Sequence, residues 1–260
     1  DIDQHRSYRY THAGTKEELR RLVNNIVKPL GPTLVQVPDY ETDVACLESF
    51  TSQMFAGRGT YGWNSGWGGD SYLIMMYAQL QPEVIYEETI NHDGLDQYKV
   101  LAMMHCDVLP ESVVEKVQTF QDRGGIIIGD EFLCPAIKPD IVIESHDRPE
   151  EAHLARKMNI EKAHQLRQRL ENHYTRYVGS NTPDVVTRVR RYGSTDYLFG
   201  VNDLREYGDY VGHHGLVMER GLPQDAKLYV NRDTGHVYDL VAHRAVDDLH
   251  TGDGYMGIPR

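Results

Sequence analysis

Several residue clusters in this 260-residue chain have types and spacings that could do chemistry. His105-Cys106-Asp107 and Gly129-Asp130-Glu131 each follow a short apolar run, Tyr98–Met104 and Ile126–Ile128. If those runs are strands of an open parallel sheet, both triplets lie where such sheets bind ligands, outside the strands' carboxyl ends. A cysteine beside a histidine suggests a thiol nucleophile with its base. Neighbours on a strand point to opposite faces, however, so His105 would not activate Cys106. The alternative is a buried cysteine with a histidine at the rim. Asp130 and Glu131 could hydrogen-bond sugar hydroxyls, bind a metal, or pair with an arginine of a neighbouring subunit. They could equally be carboxylates solvated at a strand end or capping a helix.

A second candidate is the glycine-rich stretch Ala56–Asp70, AGRGTYGWNSGWGGD, which holds both tryptophans, Trp63 and Trp67, together with Tyr61. Flat aromatics on a loop could stack on sugar rings or anchor a protein partner. They could also fold back as a packed Ω-type loop. The run GRGTYG lacks the Gly-Lys-Ser/Thr ending of a phosphate loop. His213-His214, and His243 with Asp239, lack the helical i, i+4 spacing of metal ligands, so a surface or interface role is expected. Cys46, Cys106 and Cys134 have no CxxC spacing and read as buried free thiols rather than a zinc site or a disulfide framework. No metal and no cofactor is expected.

The elements that must position these residues follow from periodicity. Residues 43–50 suggest a buried first strand, Val84–Glu87 a second and Tyr98–Met104 a third. Pro110 suits the first turn of a helix whose Val113, Val117 and Phe120 line one face, and Gly124 suits the left-handed residue after it. Ile126–Ile128 is a fully apolar fourth strand, as in a sheet covered on both faces, and Asp140–Ile143 a fifth. Asp70 is placed to cap a helix carrying Leu73, Ile74, Tyr77 and Leu80 and ended by Pro82. A long helix carries Ala163, Leu166, Leu170, Tyr174 and Tyr177. Upstream, Thr15 and Glu18 form a capping-box signal for a helix ending near Pro29, with Leu34–Val37 a short strand. After residues 179–183 the pattern becomes short strands: Val185–Arg191, Tyr197–Asn202, and a hairpin of Lys227–Val230 with His236–Val241. The expectation is an N-terminal extension over 1–40, an α/β domain over 41–180, and a small β-sandwich-like domain over 181–260. The α/β part should be a mostly parallel sheet with helices on both faces.

Composition narrows the function classes. A hydrophobic content of 40% supports real cores, and a net charge of −12 argues against broad binding to nucleic acid or anionic membrane. No apolar segment reaches the ~20 residues that span a bilayer. The start Asp1-Ile2-Asp3 carries neither an initiator Met nor a signal pattern, so a processed product or excised fragment is expected and no compartment is assigned.

The order YKVLAMM, VLPESVVEKVQTFQDRGG, IIIGDE over Leu95–Glu131 resembles the trimerisation domain of glycoside hydrolase family 42 β-galactosidases. That domain belongs to the flavodoxin-like, class I glutamine amidotransferase-like superfamily. DYLFGVND and GHVYDLVAH resemble the small C-terminal β domain of the same enzymes. The resemblance covers roughly residues 43–145 and, less closely, 185–260. It implies a module outside the catalytic (β/α)₈ barrel, for which this chain has too few βα units. It also places Glu131 where active amidotransferases carry the nucleophilic cysteine. Phe132 follows, with no second glycine for the tight turn, and His146-Asp147-Arg148-Pro149-Glu150 only echoes the His-Pro-Glu partner motif. The expectation is therefore a non-catalytic subunit-contact or accessory region of a carbohydrate-active multidomain protein, homo-oligomeric and open to a carbohydrate ligand. The rivals are a hydrolase using Asp130, Glu131 and His105, or a glycan-binding module using Trp63 and Trp67.

Overall fold

The computed structural model describes residues 13–57, 67–211, 216–232 and 235–246. The chain forms two compact units, one of residues Glu41–Gly179 and the other combining Asp1–Tyr40 with Ser180–Arg260. Among the described residues no helix is long and apolar enough to cross a membrane.

The first unit is an α/β layer structure. Its sheet consists of β1 (Val44–Leu47), β2 (Glu83–Ile85), β3 (Val100–Met103), β4 (Ile126–Gly129) and β5 (Ile141–Val142). The spatial order is β2-β1-β3-β4-β5 and every pairing is parallel. Parallel strands need covering on both faces, which is why β3 is VLAM with all four residues buried. Side chains alternate across the sheet. Ala45, Leu47, Leu101, Met103 and Ile127 pack with Val113, Val117 and Phe120 of α6 (Glu111–Asp122) and Ile90 of α5 (Glu87–Asp93). Val44, Val100, Ala102 and Ile128 are also buried and face the other way. That side is left to α4 (Trp67–Tyr77) and α7 (Ala152–Leu170), which pack on each other and bury Ile74, Met75, Ala163 and Leu166 among others.

Turn chemistry sets the connections. Ser49 caps α3 (Phe50–Ala56) by accepting the Ser52 N–H, and Gly57 ends that helix with φ +66°. Pro110 is the residue before α6, one position earlier than expected. Gly124 turns left-handed after α6 (φ +93°). A Cβ on Gly125 would come within 2.4 Å of the Phe120 ring, so the second glycine of the pair is there for packing.

Several sequence expectations fail locally. Trp67-Gly68-Gly69-Asp70 form the first turn of α4, although a loop was expected there, and Asp70 sits inside that turn instead of capping it. Its carboxylate is bound elsewhere, as described below. Tyr174 and Tyr177 follow α7 and are not part of it; the Tyr174 hydroxyl donates to Asp43 Oδ1 at 2.6 Å. α5 was not foreseen, because a seven-residue helix carries too short a period to read.

In the second unit, helix α1 (Ala13–Leu22) runs through a π-helical stretch, Val23–Val27, into α2 (Lys28–Leu34). Thr15 is therefore inside a helix and does not start one. Pro29 does not stop the helix, and Leu34–Val37 is a helix end and turn, not a strand. The Lys28 N–H reaches back five residues to Val23 O, and this wide turn lets Pro29 sit in a first turn, where no N–H is needed. The small β region contains antiparallel ladders. β7 (Val185–Tyr192) pairs with β8 (Thr195–Asn202) around Gly193 (φ +56°). β9 (Arg205–Val211) pairs with β10 (Leu216–Gly221). Short strands β6 (Val178–Ser180) and β11 (Leu228–Val230) are also present. The expected hairpin of 227–230 with 236–241 does not form. β12 (Val237–Asp239) pairs instead with β13 (Arg244–Val246), because Asp239 Oδ1 accepts the N–H groups of Val241 and Ala242 and turns the chain at once.

Candidate functional site

The strand order reverses between β1 and β3, so the carboxyl ends of those strands and of β4 form the edge where a doubly wound sheet binds ligands. Three groups of polar residues converge along it.

Between β1 and β3 the network centres on Glu87, buried at the start of α5. Its carboxylate accepts the N–H groups of Phe50 and Thr51 at 3.1 Å, and Ser49 Oγ lies 2.7 Å from Oε1. Ser52 Oγ donates to Val108 O at 2.7 Å and accepts the Val108 N–H at 3.0 Å. These bonds tie the loops after β1, β2 and β3 into one block.

At the tip of β4, Asp130 is 3% exposed. Its carboxylate accepts the indole N–H of Trp67 and the backbone N–H of His105, both at 2.8 Å, and the Phe132 N–H at 3.1 Å. Burial raises its pKa, and the bonds from His105, Trp67 and Phe132 pull against that rise. His105 holds this position with φ +56°, a left-handed conformation uncommon outside glycine, and its ring lies 5.4 Å from that of Phe132.

The third group is in the loop between β5 and α7. Asp70, 1% exposed, receives Arg148 through Nε (2.9 Å to Oδ2) and Nη2 (2.6 Å to Oδ1), and Asn159 Nδ2 at 3.0 Å. His146 stands edge-on to Trp67 with ring centroids 5.2 Å apart, its Nε2 3.8 Å from Asp70 Oδ2. Among the described residues neither His146 ring nitrogen has a hydrogen-bond partner. Burial depresses the His146 pKa against the attraction of Asp70, with Lys162 and Arg148 adding to the depression. Ser145, one residue earlier, gives its N–H (2.9 Å) and hydroxyl (2.5 Å) to Glu131. Glu131 feels some desolvation that raises its pKa, but the Ser145 bonds and Lys162 bring it net below the ordinary carboxylate value.

The structure thus brings Asp130, His105 and Trp67 into one buried cluster and leaves Glu131 exposed beside it. His105 is 2% exposed, not at a rim, because the Asp130 carboxylate draws its main chain inward. Trp67 is 1% exposed with its indole N–H taken by Asp130, so it offers no face for stacking a sugar. Tyr61, Trp63, His213 and His214 lie outside the described residues. His243 has φ +53° in the turn set by Asp239. The residues that sequence reasoning missed are Asp70, His146, Arg148 and Asn159. The run His146-Asp147-Arg148 was visible, but nothing in it disclosed the partner 78 residues away.

The described residues contain no group of three side chains placed to hold a metal ion. Cys106 is fully buried, its sulfur 3.5 Å from Met104 O, and burial followed by nearby negative groups pushes its pKa well above that of a free thiol. Cys46 is pushed up to about 12 by burial and by Glu48. Neither supplies a thiolate at neutral pH. What the edge does offer is an exposed carboxylate at Glu131 and a firmly bonded framework.

No protein-family model matches the chain, and a search of curated proteins found no match. Solved structures do match. The α-L-fucosidase isoenzyme 2 of Paenibacillus thiaminolyticus has a TM-score of 0.59 at 12% identity, covering 90% of this chain and 49% of that one. The β-galactosidase of Bacillus circulans sp. alkalophilus has a TM-score of 0.53 at 11% identity, covering 89% and 42%. Gan42B, a GH42 β-galactosidase, has a TM-score of 0.48 at 12% identity, covering 80% and 38%. The chain spans half or less of the length of each. At such identities the likeness is one of fold: this chain shares the architecture of part of these glycoside hydrolases.

Proposed function

We propose that this chain is a non-catalytic subunit-contact or accessory region of a carbohydrate-active, glycoside hydrolase-like multidomain protein. On this reading its α/β unit is a flavodoxin-like, amidotransferase-like trimerisation domain that has lost its nucleophile, with Glu131 in the cysteine's place. The observation that carries the reading is a contrast along one sheet edge. Most of the buried polar groups there are bonded within the fold, the His146 ring excepted, while α3 and the β3–α6 loop present apolar side chains to solvent. Phe50 is 59%, Met54 64%, Phe55 79% and Val108 38% exposed. Several large apolar side chains exposed on one short helix suit an interaction surface. The strand order and the glycoside hydrolase neighbours support the assignment. The burial of Asp130 and His105 weighs against the hydrolase reading, and that of Trp67 against this tryptophan as a stacking face.

The test is the mass of the purified chain by light scattering across a concentration series, with Met54→Asp and Phe55→Asp as disrupting variants. Self-association of the wild type that either variant abolishes supports the reading. A wild type that stays monomeric up to high concentration defeats it, as does turnover of glutamine or a nitrophenyl glycoside that Glu131→Gln or Cys106→Ala removes.

A further inference from the structure

A groove of about 230 Å³ runs between the outer edge of β5 and helix α7, lined among others by Val142, Glu144, Lys162, Gln165 and Arg169. β5 is the last strand of its sheet. Ile143 gives its N–H to Gly129 O, so alternation turns the polar groups of Val142 and Glu144 outward. The two outward carbonyls are taken by cations of α7: Lys162 Nζ reaches Glu144 O at 2.6 Å and Arg169 Nη1 reaches Val142 O at 2.7 Å.

Carbonyls two residues apart along an extended edge are separated by roughly 6.6 Å. Each cationic head is thus held against one of these two carbonyls before any ligand arrives. Among the described residues no carboxylate lies within ion-pair distance of either one, and Glu131 feels the Lys162 charge from farther off, although the chain as a whole is strongly acidic. The groove is thus rich in donors: an ammonium with two further N–H groups, a guanidinium with four, and the Gln165 amide between them. Occupied edge carbonyls disfavour an added peptide strand, whose own N–H groups would need them.

We propose that this groove binds a sugar acid, with the carboxylate on Arg169 and ring hydroxyls on Gln165 and Lys162. Acceptor groups across a hexuronate ring are spaced comparably to the two carbonyls that hold the cations, to within the reach of a hydrogen bond. Val142, 41% exposed, supplies an apolar patch for the ring's C–H face. Glu144 stands on the rim and opposes an anion. The anionic part of the ligand follows from the groove alone, and the sugar part rests on the carbohydrate-related reading above.

The test is titration of the full chain with galacturonate, galactose and glutarate, followed by amide chemical shifts of 142–145 and 162–169. The expected result is galacturonate binding at least tenfold tighter than galactose or glutarate. That binding is weakened tenfold or more by Arg169→Gln, largely kept by Arg169→Lys and strengthened by Glu144→Gln. Galacturonate binding no tighter than galactose overturns the proposal, and so does glutarate binding as tightly as galacturonate. Loss of binding in Arg169→Gln counts only if its thermal midpoint is within a few degrees of wild type; otherwise Lys162→Gln replaces it, with the same tenfold loss expected. Neither overturning result touches the contact-surface reading, which the oligomeric state decides.

Discussion

Replacing Arg148 by alanine should cost the α/β unit more than neutralising the carboxylate it holds. Asp70 is 1% exposed, whereas the Arg148 side chain is 47% exposed. Without Arg148, the buried charge of Asp70 keeps, among the described residues, Asn159 at 3.0 Å and the His146 ring at 3.8 Å. Removing one partner of a fully buried pair costs about 3–5 kcal/mol, and the solvent reaching the half-exposed Arg148 side chain brings this to about 2–3 kcal/mol. Asp70→Asn removes charge-assisted bonds of about 1.5–3 kcal/mol, but the guanidinium regains water, which leaves about 1–2 kcal/mol. The double variant should then be more stable than Arg148→Ala alone. Urea unfolding followed by far-UV circular dichroism measures all three, and for a protein of this size each kcal/mol moves the thermal midpoint by about 2–4 °C. The reasoning is refuted if Asp70→Asn proves the costlier change, or if Arg148→Ala costs less than about 1 kcal/mol.

The pKa of His146 is depressed in the fold, so the unfolded chain binds its proton first and stability falls as pH drops below about 6.5. In His146→Gln that part of the acid-side slope should vanish, as unfolding at pH 7.5 and pH 5.5 would reveal. Asp130 works in the opposite direction: its raised pKa means the fold takes up a proton first. Wild type should therefore gain stability relative to Asp130→Asn as pH falls from the raised value toward about 4, and the same pH series reads this difference. Gly125→Ala drives a methyl to 2.4 Å from the Phe120 ring and should cost about 1–3 kcal/mol by urea unfolding. A thiol reagent at pH 8 should label Cys106 only on unfolding, and mass spectrometry of the labelled peptides would expose stoichiometric labelling of the native chain as a contradiction.

The sheet was legible because its strands are short apolar runs bracketed by turn residues, and the helix of Val113, Val117 and Phe120 because three turns suffice to show a period. The seven-residue α3 and α5 are too short for that, and Pro29 misled because a preceding π turn is invisible in composition. At the site, the strand-end positions of Asp130 and His105 could be read, but their burial could not. Burial there depends on Trp67, 63 residues upstream of Asp130, and a glycine-rich neighbourhood disguised that tryptophan as part of a loop. Lysines and arginines that cover edge carbonyls, as on α7, look in sequence like any solvated helix face.

The left-handed backbone at His105 has an implication for reversibility. It puts the sharp strand-to-loop bend on β3, whereas the nucleophile of an acyl-transfer elbow needs such a bend beneath it and a helix directly after it. Glu131, at the end of β4, is not among the left-handed residues, and no helix follows until α7. A sulfur placed at 131 would lack both the main-chain strain that thrusts it forward and the helix-end N–H groups that cradle an oxyanion. An acyl-transfer elbow at this position would need a different path of the backbone, not a single substitution.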